Sequence, residues 1–127
     1  MELALQVRLP ASRKAPSLAR NALLGLNGEL DGVREPVTLL VSELVTNSVR
    51  HAGLQPDDRI ELEVAADPSS VRVEVSDPGP GFTMEEVPDL PGPEGGFGLN
   101  LVRRIADRWG TVGSCVWFEI ERPDVQG

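Results

Sequence analysis

Apolar and polar residues follow two kinds of spacing along the chain, and each spacing predicts a type of element. Three stretches alternate with the period of two that is typical of a strand with one buried face, and a fourth is predicted as the last strand. These strands are residues 2–9, 59–66, 71–77 and 114–121. Pro10 ends the first, which we expect at a sheet edge. The polar run at 67–70 predicts a hairpin between the second and third.

Three further stretches place apolar residues three or four apart, which predicts helices. They are residues 17–31, 36–53 and 97–108. In the first, Ser17 is the expected N-cap, and Gly25 and Gly28 each weaken the second half by up to about 1 kcal/mol. The second helix tolerates Pro36 in its first turn and is expected to end at Gly53.

The order of these elements predicts an α+β fold, a two-layer α/β sandwich with helices on one face of a mixed, mainly antiparallel sheet. The length of 127 residues suits a single domain spanning residues 1–127. Residues 78–96 are rich in proline and glycine, so we expect a mobile lid there. The last helix should direct Leu99 inward and Arg108 outward, and the tail at 123–127 should fray.

Charge and composition narrow the possible partners. The chain has 20 acidic and 12 basic residues and a net charge of −8. Because direct nucleic-acid binding needs a basic stripe, we expect neither nucleic acid nor an anionic membrane surface as a partner. No apolar run approaches a membrane span and no signal layout is visible, so a cytoplasmic protein is expected. Cys115, the single cysteine, is expected to be a small buried hydrophobe rather than a reactive thiol.

The predicted central helix concentrates chemically useful side chains on one face. At about 100° per residue, Glu43, Asn47, Arg50 and His51 fall within roughly 100° of arc. The opposite side carries apolar residues, namely Val37, Val41, Leu44, Val45 and Ala52. On an isolated helix, such a set is most often simply a solvated face. An acid, an amide, a guanidinium and an imidazole over two turns can also bind a metal ion and phosphates.

Two glycine motifs follow the central helix. In the sequence DPGPGF, Asp77 comes at the end of a strand, where its carboxylate can accept a hydrogen bond from an exocyclic amine, although Asp-Pro also opens ordinary turns. Gly79 and Gly81 permit either a tight turn or a close approach of the backbone to a ligand.

The second glycine motif opens the last predicted helix. Gly95, Gly96 and Gly98 surround the start of that helix near Phe97. The free amides and the positive dipole end at a helix N-terminus suit a phosphate. An ordinary flexible loop is the alternative, but a glycine cluster that opens an amphipathic helix favours phosphate binding.

Together the three motifs resemble a known set. ELVTNSVRHAG, DPGPGF and GGFGLNLVRRIADRWG, in this order, resemble the N box and the two glycine boxes of the Bergerat-type ATP-binding fold. Gyrase, the heat-shock chaperone, histidine kinases and the mismatch-repair ATPase share this fold. Within it, the chain most resembles the bacterial anti-sigma factor serine/threonine kinases, from about residue 7 to residue 120.

The resemblance implies a role for each matching residue. Glu43 is the implied general base, Asn47 the Mg²⁺ ligand, and Asp77 the reader of the adenine amino group, which favours ATP over GTP. Where the family often has a Gly-Thr pair, Gly113 and Ser114 keep the hydroxyl that supports the aspartate. Further contacts with the nucleotide, or with the lid, are implied for Arg50, His51, Gly79, Gly81, Gly96, Gly98 and Leu99.

The resemblance also implies an activity and partners. Such a domain uses Mg-ATP to phosphorylate a serine or threonine of a small antagonist protein, and it binds a sigma factor, usually as a homodimer, so that partner choice controls transcription. Two alternatives are a non-catalytic module whose ATP only sets a partner-binding conformation, and a simple ATPase. Retention of both Glu43 and Asn47 favours the kinase.

Overall fold

The computed structural model describes residues 1–51, 53–79 and 97–123. Its strands are β1 (Glu2–Pro10), β2 (Arg59–Ala66), β3 (Ser70–Ser76), β4 (Arg108–Val112) and β5 (Cys115–Glu121). Its α-helices are α1 (Ala15–Leu24), α2 (Arg34–His51) and α3 (Phe97–Ile105), and a short 3-10 helix covers Gly28–Leu30. Within the described ranges, no helix is both long and apolar enough to cross a membrane.

The five strands form one sheet in the order β1-β2-β3-β5-β4. All four neighbouring pairs are antiparallel. Strand alternation is visible in β3, where Val71, Val73 and Val75 are buried while Arg72 and Glu74 lie on the other face. The α+β fold predicted from the sequence is confirmed, and the described pairings make its sheet antiparallel rather than mixed.

The core lies between the sheet and the helices. Its largest fully buried side chains come from every layer of the sandwich. They include Phe118, Leu23, Leu30, Leu40, Ile60 and Leu62. Helix α2 packs against both α1 and α3 and also against β3, while α1 packs against β1. The predicted central helix is therefore the middle element of the helical layer.

Helix α1 differs from its prediction at both ends. It begins at Ala15, and Lys14 occupies the N-cap position without a side-chain cap, so the expected Ser17 cap was wrong. Pro16 explains the earlier start, because proline is well tolerated in the first turn of a helix. The helix ends before Gly25, where the sequence predicted only a weakened helix.

The last helix is shorter than predicted because part of it is a strand. Helix α3 ends at Ile105, and β4 pairs with β5 through a turn in which Gly113 has φ +59°. Arg108, predicted on the outward face of the helix, instead lies in β4 and forms ion pairs with Glu119 and Glu121 at 2.8 and 2.9 Å.

On the outer face of the sheet, an arginine stacks on a tryptophan. The Arg72 guanidinium lies 4.3 Å from the ring centroid of Trp117. A Cβ atom on Gly110 would lie 2.8 Å from Nε1 of the same indole, so this position needs a residue without a side chain. Cys115 is half-buried on this face rather than buried in the core, and burial raises the pKa of its thiol.

Candidate functional site

Helix α2 presents an acid and an amide one turn apart. Glu43 and Asn47 are both half-buried. Within the described residues, neither side chain makes a hydrogen bond or an ion pair. Fully buried residues of the same helix, such as Val41 and Leu44, hold it against the core. An amide oxygen and a carboxylate are thus fixed by the helix and open to a ligand.

The position of α1 shows which flank of α2 these two side chains occupy. The guanidinium of Arg20 on α1 donates a hydrogen bond to the Ser42 hydroxyl on α2 at 3.3 Å. At about 100° per residue, Asn47 lies about 140° around the helix from Ser42. Glu43 and Asn47 therefore lie on the flank of α2 away from α1, and α3 is the other helix that packs on α2.

The end of α2 carries the two remaining predicted side chains. Arg50 is exposed and has no ion pair within the described residues, so its cation is available to a ligand. Of His51 only the backbone is described, as the last residue of the helix. Gly53 has φ +66°, as expected for a glycine that ends a helix.

Asp77 directly follows β3, as the sequence predicted. Its Oδ1 atom accepts a hydrogen bond from the amide of Gly79 at 2.8 Å, while its other carboxylate oxygen has no partner in the described part of the chain. The Ser114 hydroxyl, on the turn between β4 and β5, donates to the backbone carbonyl of Asp77. Ser114 thus contacts this aspartate through the main chain, not through the carboxylate.

Other predicted residues lie partly or wholly outside the described ranges. Gly81, Gly95 and Gly96 are outside them, as are most of the predicted lid at 78–96 and the end of the tail. For Gly98, the structure describes only its place as the second residue of α3.

Two neighbouring residues of α3 are buried. Leu99 has 4% of its surface exposed and belongs to the hydrophobic core, so its contact with nucleotide stays a prediction. Asn100 is 5% exposed and makes an interaction of its own. Asn100 was not predicted as a site residue, although a polar residue between two leucines, two positions after Gly98, was a usable signal.

The oxygen atoms of Asn47 and Asp77 suit a magnesium ion and a nucleotide. Magnesium takes few protein oxygens and otherwise prefers phosphate oxygens and water, and the Asn47 amide oxygen is free to be such a ligand. The free oxygen of Asp77 suits an exocyclic amine. In the described ranges, no group of three or more His, Cys, Asp or Glu side chains could hold a metal ion.

The chain is similar to proteins of known families. A model of the histidine kinase-like ATPase domain matches residues 6–120. The serine-protein kinase RsbW of Staphylococcus aureus strain bovine RF122 / ET3-1 is 29% identical over 121 residues, which covers 81% of this chain and 75% of that protein. The proteins of the same name from strains MRSA252 and Newman match with the same identity and coverage.

Proposed function

Because the chain belongs to the histidine kinase-like ATPase domain family, we propose that it binds Mg-ATP and phosphorylates a serine or threonine of a small antagonist protein. The proposal includes a second partner, a sigma factor, so that exchange between the two partners controls transcription. It also includes a homodimer, a cytoplasmic location and no direct contact with nucleic acid. Similarity to the serine-protein kinase RsbW supports the kinase hypothesis.

One observation carries the proposal. Glu43 and Asn47 stand one turn apart on α2, half-buried, without a partner among the described residues and on the flank away from α1. A site that only held a nucleotide would need the amide, but it would have no use for a free carboxylate beside it. A carboxylate at this place suits proton transfer from an attacking hydroxyl.

Each residue has a distinct role in the proposed reaction. Bound Mg-ATP would supply the transferable γ-phosphoryl group. Asn47 would hold the metal with its amide oxygen, and Asp77 would orient the adenine by accepting a hydrogen bond from its amino group. Glu43 would take the proton of the substrate hydroxyl on a carboxylate oxygen. Arg50, exposed at the end of the same helix, would contact the phosphates.

Phosphate transfer tests the enzymatic part of the proposal. The purified protein is added with γ-labelled ATP to an extract of the source cell, and newly labelled small proteins are sought. We expect label with the parent protein and with Glu35→Ala, a matched change at an exposed acid of the same helix, and no label with Glu43→Ala. Equal labelling by the parent and Glu43→Ala would contradict the role of Glu43.

The same experiment separates the kinase from the binding module. If a partner co-purifies with the protein in an ATP-dependent way but no label is transferred to it, the non-catalytic module is correct. Phosphate release without any partner would instead indicate a simple ATPase.

Nucleotide binding tests the site itself. Asn47→Ala should weaken ATP binding only when magnesium is present, because it removes a metal ligand. Asp77→Asn should weaken it with or without magnesium, because it replaces one of the two carboxylate oxygens with an NH2 donor. With the remaining oxygen accepting from the Gly79 amide, a donor would face the adenine amino group. Asn21→Ala, on exposed surface of α1, serves as the control. Unchanged affinity in both site variants, measured by titration calorimetry, would refute the site.

A further inference from the structure

A cavity lies at the end of the sheet opposite Asp77. It is an open crevice of about 950 Å³. Three segments form most of its lining: the loop before α2 (residues 28–32), the turn between β2 and β3 (residues 66–70), and the end of β5 with the two residues that follow; Arg108 of β4 completes it. Because β3 has seven residues, the crevice is about 20 Å from Asp77. It is therefore separate from the proposed nucleotide site.

The walls of the crevice are held together by Arg122. Its guanidinium donates hydrogen bonds to the carbonyls of Asp67 at 3.0 Å, Asp31 at 2.6 Å and Glu29 at 2.5 Å. Pro123 packs over Gly32, where an added Cβ would lie 3.1 Å from the proline Cδ atom. All three enclosing segments are thus joined by one side chain, and the crevice is preformed.

The crevice is rich in carboxylates whose charge is not balanced by its arginines. Glu29, Asp31, Asp67 and Glu121 line it together with two arginines, Arg108 and Arg122. The Arg108 guanidinium is engaged by Glu119 and Glu121, and the Arg122 guanidinium is engaged by backbone carbonyls. Glu29, Asp31 and Asp67 are therefore left without a cationic side chain as a hydrogen-bond partner.

Hydrogen bonds lower the pKa values of two of these acids, which further favours their ionised form. The Ser69 hydroxyl and the amides of Ser69 and Ser70 lower the pKa of Asp67. Its own backbone amide and that of Asn27 lower the pKa of Glu29. Asp31 is exposed and its carboxylate has no hydrogen bond in the described part of the chain. A negative crevice is the result at neutral pH.

Ser70 provides an independent sign of a ligand. It lines the crevice, and only 6% of its surface is exposed. Within the described residues its hydroxyl has no hydrogen-bond partner. Every fully enclosed side-chain polar atom in this part of the chain has such a partner, so the Ser70 hydroxyl oxygen is not fully enclosed. The hydroxyl oxygen therefore opens into the crevice, where a donor from a ligand would satisfy it.

We propose that this crevice binds a short basic segment of a partner protein, with lysine or arginine side chains donating to Asp31, Asp67 and Ser70. The carboxylates come from different segments around a large opening, whereas a metal ion needs its oxygens within about 2.6 Å of one point. An extended segment with several cations matches their separation. Residues 124–127, which follow Pro123, contain no lysine or arginine, so these four residues do not supply the cation.

A synthetic peptide tests the proposal on the full chain. A six-residue peptide of alternating lysine and arginine is titrated by calorimetry without nucleotide, and spermidine is titrated in parallel. We expect the parent to bind the peptide. Asp31→Asn should weaken binding about threefold to fivefold, and Ser70→Ala about fivefold. Asp57→Asn, an exposed acid outside the crevice lining, makes the same change in net charge and should have no effect.

Several results would overturn the proposal. Absence of peptide binding would do so, as would equal weakening by Asp31→Asn and Asp57→Asn, which indicates unspecific attraction to an acidic protein. Binding of spermidine with no binding of the peptide would show that the crevice takes a small amine rather than a segment of a partner protein. The inference does not depend on the proposed kinase activity, because the crevice is separate from the proposed nucleotide site. Asn47→Ala should therefore leave peptide binding unchanged.

Discussion

At the scale of single residues, the contact between Ser114 and Asp77 joins two distant parts of the chain. The Ser114 hydroxyl donates to the carbonyl of Asp77, and the Asp77 carboxylate accepts from the amide of Gly79. The end of β3 is thereby fixed from both sides. The direction of the free carboxylate oxygen is thereby defined.

This contact predicts an effect of Ser114 on nucleotide affinity. Ser114→Ala should weaken ATP binding about fivefold, the equivalent of one hydrogen bond of about 1 kcal/mol. Ser114→Thr keeps the hydroxyl and should bind like the parent. Ser17→Ala, an exposed serine of α1 without a capping role, is the control. Calorimetric titration with ATP measures all three, and loss of affinity in Ser114→Thr as large as in Ser114→Ala would refute the hydrogen-bond explanation.

A second residue-scale prediction concerns Gly110. Gly110→Ala should lower the free energy of unfolding by about 1–3 kcal/mol, because its Cβ would meet the Trp117 indole at 2.8 Å and the ring is held by Arg72. Gly28→Ala meets no atom closer than 3.8 Å and should be close to neutral. Urea unfolding compares the two variants. Equal stability of both would show that the indole moves aside freely.

The sequence predicted the site residues that depend on local motifs. Glu43 and Asn47 share a face because helical spacing alone places them one turn apart. The contact of Ser114 with a carbonyl could not be read in the same way, since it depends on the turn between β4 and β5 reaching the end of β3. The pairing of Ser76 with Cys115 creates that proximity.

At the scale of elements, α1 and α2 are joined by a capping arginine. Arg34, the first residue of α2, donates to the carbonyl of Leu23 at 3.1 Å and also to the carbonyl of Leu26. The Leu23 carbonyl lies in the last turn of α1 and also accepts from the amide of Leu26, which follows the helix. The glycines after Leu24 predicted a weak end of the helix, but the arginine that satisfies it comes from the next helix.

Loss of this cap should weaken the helical layer. Arg34→Ala should lower the free energy of unfolding by about 1–3 kcal/mol, because two carbonyls lose a charged donor. Arg34→Lys keeps the charge but not the planar fork, so its stability should lie between those of Arg34→Ala and the parent. Thermal and urea unfolding measure the order. If Arg34→Lys were as stable as the parent, charge alone would explain the contact.

Strand β4 shows why element boundaries were harder to predict than the elements. Asp107 and Arg108 continue the polar face of a helix, so the pattern alone extended α3 through them. The competing signal is short, because Trp109 and Thr111 alternate with a glycine over only five residues. Pairing with β5 decides the outcome, and that pairing depends on tertiary structure rather than on local spacing.

At the scale of the whole molecule, charged side chains form a ladder across the outer face of the sheet. Glu119 on β5 receives hydrogen bonds from Arg108 on β4 and Arg72 on β3, each within 2.9 Å. Arg108, followed by Arg72, lowers the pKa of Glu119 below its usual value of 4.5. A carboxyl group with a lowered pKa in the folded state stabilises that state above its unfolded pKa, and this stability is lost as the pH falls through the folded value.

This ladder predicts a pH dependence that Glu119→Gln should reduce. The contribution of Glu119 to the free energy of unfolding of the parent should be lost as the pH falls below the usual glutamate value of 4.5 and through the lowered pKa of the folded state, because Glu119 becomes protonated. Glu119→Gln should be less stable at neutral pH, and the difference from the parent should shrink as the pH falls. Glu35→Gln, an exposed acid without an ion pair in the described residues, should show no such trend. A constant difference for Glu119→Gln would contradict the charge-based explanation.

The overall architecture was predictable from the sequence, whereas the crevice around Arg122 was not. Alternation and helical spacing define which faces must be buried, and this is enough to predict two layers. The crevice is closed by contacts between residues far apart in sequence, such as Arg122 with Asp31 and with Glu29. No local pattern indicates which backbone carbonyls a distant arginine will reach.

The hairpin of β4 and β5 holds both tryptophans of a chain that contains no tyrosine. Trp109 packs against the core, four residues beyond the end of α3, while Trp117 lies on the opposite face beneath Arg72. Intrinsic fluorescence therefore originates from two environments of one hairpin. Both indoles are half-buried, so emission from Trp109 reports on the side of the sheet that faces the core, and emission from Trp117 reports on the outer face. The two tryptophans are thus intrinsic fluorescent probes, one for each face of the sheet.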